Sequence, residues 1–305
     1  MSVPETIGVL AFNFERGVFL EEQLEFLIRH PVLDRIDILL ANELDDGCSR
    51  SGNRNVAAEI ASKLGMDYVF GLEFTELVGQ NNQKGHHGNA IFSRWPILEA
   101  HSISLPVEYD WLFDAQKRSG GRQAILARLD VKGRQVGVVC THLENRTIPE
   151  GRLRQLQFLL DAVEQAFPGL PVILGGDLNT CGFHGGDQEA MERLVNDENF
   201  LLRHLSCPEE LERCLCAARQ RGFPAVPPLQ AAGEATITRR KPMPGGVLPL
   251  RVDWLLLRRA EALSWQVLST KREDCGFSPR LQCFAGDELS DHNALWARVG
   301  LRDRA

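Results

Sequence analysis

The stretch Val172-Ile173-Leu174-Gly175-Gly176-Asp177-Leu178-Asn179 decides how this chain is read. Its aliphatic residues form the short apolar run that a buried strand needs. Two glycines end the run, and a carboxylate and a carboxamide follow at once. A strand that stops this way carries polar chemistry to the rim of its sheet. The same arrangement recurs through the sequence. The run Ile7 to Phe12 ends in Asn13, Ile36 to Ala41 ends in Asn42-Glu43, and Val136 to Cys140 ends in Thr141-His142. Arg251-Val252-Asp253 opens a strand, and Ser290-Asp291-His292-Asn293 opens the last one. Each apolar run has a metal- or phosphate-competent side chain at one end, so one rim of a sheet core is expected to carry a polar site.

Further strands are expected at Tyr68 to Phe74, Asn89 to Phe92, Ala124 to Val131 and Gln135 to Thr141, the last two joined by a tight hairpin at Lys132-Gly133. Helices come between them. Leu20, Leu24, Leu27 and Ile28 form one apolar stripe, and Val56, Ile60 and Leu64 another, which Gly65 stops. Thr147 and Glu150 have capping-box spacing before a helix whose buried face is Leu153, Leu156, Leu160, Val163 and Phe167. Strands joined partly by hairpins and partly by helices point to mixed sheets. No Pro/Gly/Ser linker divides the chain. Residues 1–305 are expected to form one catalytic domain, with an irregular elaboration at about 181–250 holding helices near 186–195 and 208–221.

Composition sets the outer limits. Of the 305 residues, 44% are hydrophobic and 25% charged, which excludes disorder and fibrous repeats. The formal charge of −7 argues against a protein held to nucleic acid by its overall field, because phosphate binding needs clustered Lys and Arg. No basic leader precedes an apolar segment, and no run is long enough to span a membrane. The eight cysteines include no C-x-x-C pair and fit free thiols in a reducing compartment, so a cytoplasmic location is expected. Cys214 and Cys216 carry no metal or redox signature.

The residue types at the strand ends suit one chemistry. Carboxylates bind a hard divalent cation such as Mg²⁺, and several crowded acids need that cation to stay ionised. A His can protonate or stabilise a phosphate oxygen, a second carboxylate can orient that His, and Asn can donate to phosphate without repelling it. Together they describe metal-assisted hydrolysis of a phosphate ester.

Asn13, Asn42-Glu43, Gly88-Asn89-Ala90-Ile91-Phe92-Ser93-Arg94, Thr141-His142-Leu143, Gly176-Asp177-Leu178-Asn179, Arg251-Val252-Asp253 and Ser290-Asp291-His292-Asn293 form an ordered set running through nearly the whole chain. This set resembles the motifs of the endonuclease/exonuclease/phosphatase superfamily, which includes pancreatic deoxyribonuclease, abasic-site endonucleases and neutral sphingomyelinases. The resemblance implies a four-layer α/β sandwich, two mixed sheets face to face with helices outside. It implies Mg²⁺, or Mn²⁺, held by Glu43 with Asn13 beside it and Asp291 on the metal side. It implies Asp177 orienting or deprotonating the attacking water, and Asn179 contacting phosphate. It also implies His292 paired with Asp253, and His142 assisting the leaving group. The second motif departs from the usual Gln-Glu. The tryptophan-rich signature of abasic-site enzymes and the Cys-Asp-Arg signature of inositol phosphatases are absent.

Around this set, Asn89, Arg50, Arg54, Arg122 and Asn145 are candidates to hold substrate, as is Arg146, because an arginine fork matches phosphate oxygens. A solvated surface position is the plain alternative for each arginine. His86 and His87 fit a surface pair, with side chains turned into the cleft as the alternative. Arg239-Arg240-Lys241 fits a solvated loop, with a nucleic-acid contact as the alternative. The expected activity is a divalent-metal-dependent phosphodiesterase acting by in-line attack of water. A DNA or RNA nuclease is the alternative within that class, and a non-catalytic binding module keeping the fold is the alternative outside it.

Overall fold

The first strand, β1 (Thr6–Arg16), shows why the chain builds layers. Ile7, Val9 and Ala11 face one side, Leu10, Phe12 and Phe14 face the other, and all are fully buried. A strand apolar on both faces must be covered on both faces. The computed structural model describes residues 6–77, 85–275 and 288–302, and within them both coverings are present.

Strands are numbered in chain order. The first sheet runs β14 (Ala260–Leu268), β15 (Ala294–Leu301), β1, β2 (Ile38–Asp46), β4 (His86–Ser93), β3 (Asp67–Glu76) and β6 (Arg118–Gly120). The second runs β10 (Ala225–Val226), β13 (Asp253–Arg258), β9 (Val172–Asp177), β8 (Arg134–Thr141), β7 (Gln123–Val131) and β5 (Ile97–Ser104). Each sheet contains one parallel pair, β1 with β2 and β8 with β9, among antiparallel neighbours. Ile7, Val9, Ile38 and Leu40 of the first sheet pack against Ile125, Val138, Ile173 and Leu255 of the second. Outside the first sheet, α1 (Leu20–Arg29) and α2 (Val56–Leu64) cover Leu10, Phe12 and Leu39. Outside the second, α3 (Pro149–Ala166) packs over Leu126, Val139 and Leu174. The result is the expected four-layer α/β sandwich. No helix among the described residues is long and apolar enough to cross a membrane.

Local details follow the sequence closely, with two exceptions. Gly65 ends α2 in the left-handed conformation at φ +60, with its N–H on Ala61 O. Lys132 and Gly133 both take positive φ, which closes the β7–β8 hairpin. The capping box expected at Thr147 and Glu150 is absent. The helix starts behind Ile148, and the Thr147 hydroxyl donates instead to Glu108 Oε2 at 3.4 Å. The strands β5 and β14 were not expected. Both are sheet edges: β5 is mostly exposed and β14 alternates exposed with partly buried side chains, so no apolar run marks them.

The region 181–250 holds more helix than expected: α4 (Gln188–Leu194), α5 (Glu198–Ser206), α6 (Pro208–Leu211) and α7 (Arg213–Gln220). A hairpin of β11 (Arg239–Met243) and β12 (Gly246–Leu250) follows. Cys181, Met191, Val195, Leu248 and Val252 form a small core of its own. Seven cysteines within the described residues are free thiols, and Cys283 lies outside them.

One ion pair pins this region to the sandwich. Arg152 on α3 and Glu212, just before α7, are both fully buried, with Arg152 Nε 3.1 Å from Glu212 Oε1. Arg152 also donates to the carbonyls of Thr147 and Phe183, and Gly182 N–H donates to Glu212. Removing one partner of such a pair strands the other charge in the interior. Glu212→Ala is therefore expected to cost about 3–5 kcal/mol in urea denaturation. A loss below about 1 kcal/mol would contradict this anchoring role.

Candidate active site

Strand direction gathers the polar ends. Asn13 and Asn42 are register neighbours on the parallel pair β1–β2, and Asp253 on β13 lies opposite Asp177 on β9. Thr141 and His142 leave β8, which runs parallel to β9, and His292 lies just before β15, which runs antiparallel to β1. All reach the same rim, where the two sheets meet.

The buried Asn42 amide joins those sheets. Its Oδ1 accepts the Asp177 N–H at 2.8 Å, and its Nδ2 donates to Asn89 Oδ1 at 2.9 Å and to Thr141 O at 3.0 Å. Gly176 makes room for this contact. A Cβ there would sit 2.1 Å from Thr141 O and 2.7 Å from Asn42 Oδ1, and its φ of +131 favours glycine in any case.

Backbone strain concentrates at the same place. Among the described residues seven non-glycines have positive φ, and four of them line the cleft: Glu15, Arg16, Glu43 and Asn179. Each such position costs about 1–3 kcal/mol and persists only when the surrounding structure imposes it.

The cleft encloses about 190 Å³. Asn13 Nδ2 bridges Glu43 Oε1 and Asp177 Oδ2, each at 3.3 Å. His292 Nδ1 hydrogen-bonds Asp253 Oδ2 at 2.8 Å, and its Nε2 lies 3.7 Å from Asp177 and 3.8 Å from Asp291. Burial alone would lower the His292 pKa, but Asp253, Asp291 and Asp177 raise it to about 9, so the ring is protonated at neutral pH. Burial would raise the Asp177 carboxyl, yet His142, His292 and Arg239 hold it well below its ordinary range. Glu43 behaves alike: burial is outweighed by His142, His87, Arg16 and His292. His142 Nε2 lies 3.3 Å from Asp177 Oδ2, and its Nδ1 accepts from Arg122 at 2.9 Å. A guanidinium only donates, so the His142 ring proton is placed on Nε2, facing Asp177.

The structure brings together most of the residues singled out in the sequence. Glu43, His142, Asn145, Asp177, Asn179, Asp291 and Arg122 line the cleft, with Asp253 and His292 directly behind. Asn13 is fully buried and turns its amide NH₂ to the two carboxylates, while its Oδ1 accepts the Glu15 N–H. Asn89 does not reach the cleft; it is buried against Asn42. Arg50 is also outside, clamped on Asp45 at 2.7 Å and on Glu76 at 2.9 Å. Arg54 sits on the far side of α2 and pairs with Glu59 and Glu21. His87 is not a surface residue: it is buried, 2.9 Å from Asp45. Arg239 is not in a solvated loop; it lies on β11, lines the cleft and pairs with Asp291.

Sequence reasoning did not find Glu15, Arg16, Trp111, Asp114, Gln116 and Arg118, which complete the cleft wall. Their segments carry no apolar period, and only the loop's arginines hint at a role. A larger hollow of about 600 Å³ lies between α2 and β3, lined by Ala61, Met66, Tyr68 and Ile97, and it holds none of these groups.

The donor set fits a hard divalent cation. Glu15, Glu43 and Asp291 crowd one side of the cleft. Burial, then Asp291 and Glu43, push the Glu15 carboxyl upward, which is the mark of negative charge awaiting neutralisation. Their carboxylate oxygens are the ligands Mg²⁺ and Mn²⁺ take, with Asn13 donating to Glu43 and Arg239 paired with Asp291 beside them. Asp177, Asp253 and His292 also lie close enough to share an ion. The protonated His292 ring, engaged with Asp253, does not suit that geometry.

The profile of the Endonuclease/Exonuclease/phosphatase family matches residues 24–292. The protein YbhP of Escherichia coli K12 is 33% identical over 98 residues, which are 32% of this chain and 34% of that protein. The aligned part thus spans about a third of that relative. A family protein from Beutenbergia cavernae superposes with TM-score 0.58 at 17% identity, covering 98% of this chain and 72% of its own. D. rerio TDP2 complexed with a single-strand DNA product gives 0.56 at 14%, covering 97% and 99%. The human Nocturnin catalytic domain with bound sulfate gives 0.55 at 19%, covering 97% and 93%. These three share the fold.

Asn42→Leu tests how the rim is held. It leaves the Asp177 N–H and the Asn89 and Thr141 oxygens without their partner, so an expected loss of about 2–5 kcal/mol follows. An unchanged urea midpoint would show that the amide does not tie the sheets.

Proposed function

The chain belongs to the endonuclease/exonuclease/phosphatase family, and we propose that within it the protein is a phosphodiesterase that depends on Mg²⁺ or Mn²⁺. The observation that carries this reading is the convergence of Asp177, the His292–Asp253 pair and the Glu43 carboxylate on one rim, with Asn13 Nδ2 3.3 Å from both Glu43 and Asp177. Glu43 and Asp291, with Glu15 adjoining, would hold the cation. When bound, it offsets the developing negative charge on phosphorus-bound oxygens.

The remaining roles belong to the chain. Asp177 orients the attacking water in line with the scissile bond, held in place by Asn42 and Asn13. His292 donates from Nε2 to a phosphoryl oxygen, and Asp253 fixes its ring from the other nitrogen. Asn179 keeps one amide hydrogen on Leu143 O at 3.0 Å and presents the rest of its carboxamide to the phosphate. His142 offers its Nε2 proton to the leaving oxygen, its tautomer set by Arg122. A nucleic-acid strand is the second reading of the substrate. Its support is the five arginines of the cleft wall, which offset the five acids there, so the chain's net charge of −7 does not describe the local field.

Glu43→Gln and Asp177→Asn are each expected to lower hydrolysis of a simple phosphodiester by at least about a hundredfold. Excess EDTA is expected to abolish it, and added Mg²⁺ or Mn²⁺ to restore it. Full turnover in either variant or in EDTA would sink the mechanism. The His292 shift gives a pH signature. A raised pKa keeps the donor protonated below about 9 and loses it above, so activity should fall as pH rises through that value. Asp253→Asn removes the largest upward influence and should move this alkaline limb to lower pH. A limb unmoved in that variant would assign it to another group.

A further inference from the structure

One part of the cleft is not used by the reaction just described. Trp111 is anchored by its Nε1–H on Glu144 at 2.8 Å, and arginines surround its ring. Arg118 lies 4.7 Å from the ring centre and Arg146 5.9 Å. Arg16 adjoins them, held by the left-handed backbone at φ 70 and donating to Gln116 Oε1 at 3.4 Å. Gln116 in turn donates to Glu76, which also sits 3.1 Å from Arg118 Nε.

We propose that Arg16, Arg118 and Arg146, grouped round Trp111, form a second anion subsite, so that the substrate is a phosphoester carrying a second phosphate group. The inference rests on the phosphoesterase reading of the adjacent carboxylates and names the substrate class of that site.

Three observations support it. Arg16 forms no ion pair with an acid among the described residues, although it is half-buried. Its charge acts on Glu15 and Glu43 without direct contact, so a strained backbone position holds a guanidinium that binds none of the described acids. Next, the Nε–H groups of Arg16 and Arg146 are buried without a hydrogen-bond partner. Buried polar atoms in folded proteins are otherwise nearly always paired. Finally, Arg118 lies over the Trp111 ring, and Asp114 tethers Arg146 at 3.4 Å. Such forks meet phosphate oxygens without first being ordered. The cleft volume of about 190 Å³ equals that of about six waters, which leaves space beside one phosphate.

The second phosphate can be a terminal phosphate on a nucleic-acid strand or a substituent on a small diester. The test separates binding from turnover. Metal-free protein is titrated calorimetrically with inorganic phosphate and with pyrophosphate. Pyrophosphate is expected to bind at least tenfold more tightly, and Arg16→Gln to remove most of that advantage. Arg146→Met serves as the second variant, and thermal melting confirms that both are folded. Equal affinity for the two anions, or variants that keep the full pyrophosphate advantage, would overturn the proposal. Turnover then identifies the source. The 5′-phosphorylated thymidine dinucleotide is compared with its unphosphorylated form, and glycerophosphoinositol with its 4-phosphate. A tenfold preference in kcat/KM within one pair is expected, and no preference in either would contradict the subsite. Hydrolysis of none of the four would defeat the phosphodiesterase reading, while the calorimetric comparison still decides the subsite.

Discussion

The amide of Asn42 is the contact on which the site depends. It is fully buried where the two sheets meet, and it holds the Asp177 backbone, the Asn89 side chain and the end of β8 at once. Three bonds from one rigid plane fix the separation of β2 from β9. The separation of Glu43 from Asp177 follows, because each belongs to one of those strands. A charged side chain in this place would need its own counter-ion, and an apolar one would leave three buried groups unpaired. Asn13 repeats the device one step nearer the cleft, with its amide hydrogens on the two carboxylates.

Around this tie the charges are arranged in opposition. Acids that would repel one another are interleaved with His142, His292 and five arginines, so that Asp177 and Glu43 stay ionised despite burial. Two of the arginines are held from behind by acids outside the cleft wall, while Arg146 and Arg239 pair with Asp114 and Asp291 of that wall. Glu73 and Glu144 hold Arg122, and Glu76 serves Arg118. The outer acids offset the burial of Arg118 and Arg122. The chain's acidity is therefore a poor guide to what the cleft attracts.

The sandwich was legible wherever a strand is buried on both faces. β1 and β9 announce themselves as apolar runs, and their polar ends mark the rim. Edge strands such as β5 and β14 leave no such trace, since their side chains meet water on one or both faces. Glu43, Asp177, Asp253, Asp291, His142 and His292 were legible as strand-end residues, while Glu15 and Asp114 were not. The arginines were harder, because an arginine looks the same in sequence whether it faces the cleft like Arg122 or pairs on the surface like Arg54. Asn42 appeared only as an unusual residue beside Glu43; its role requires the partner sheet. The positive φ values of Arg16 and Glu43 have no sequence mark, since neither residue favours that conformation.

In the proposed mechanism a divalent cation would sit on the Glu43 side of the cleft, with the His292 ring kept as a proton donor. Anomalous diffraction from crystals grown with Mn²⁺ tests this most directly. The predicted result is a Mn²⁺ peak beside the carboxylates of Glu43 and Asp291, with His292 Nδ1 still bonded to Asp253. A peak ligated by His292, with Glu43 uninvolved, would contradict it.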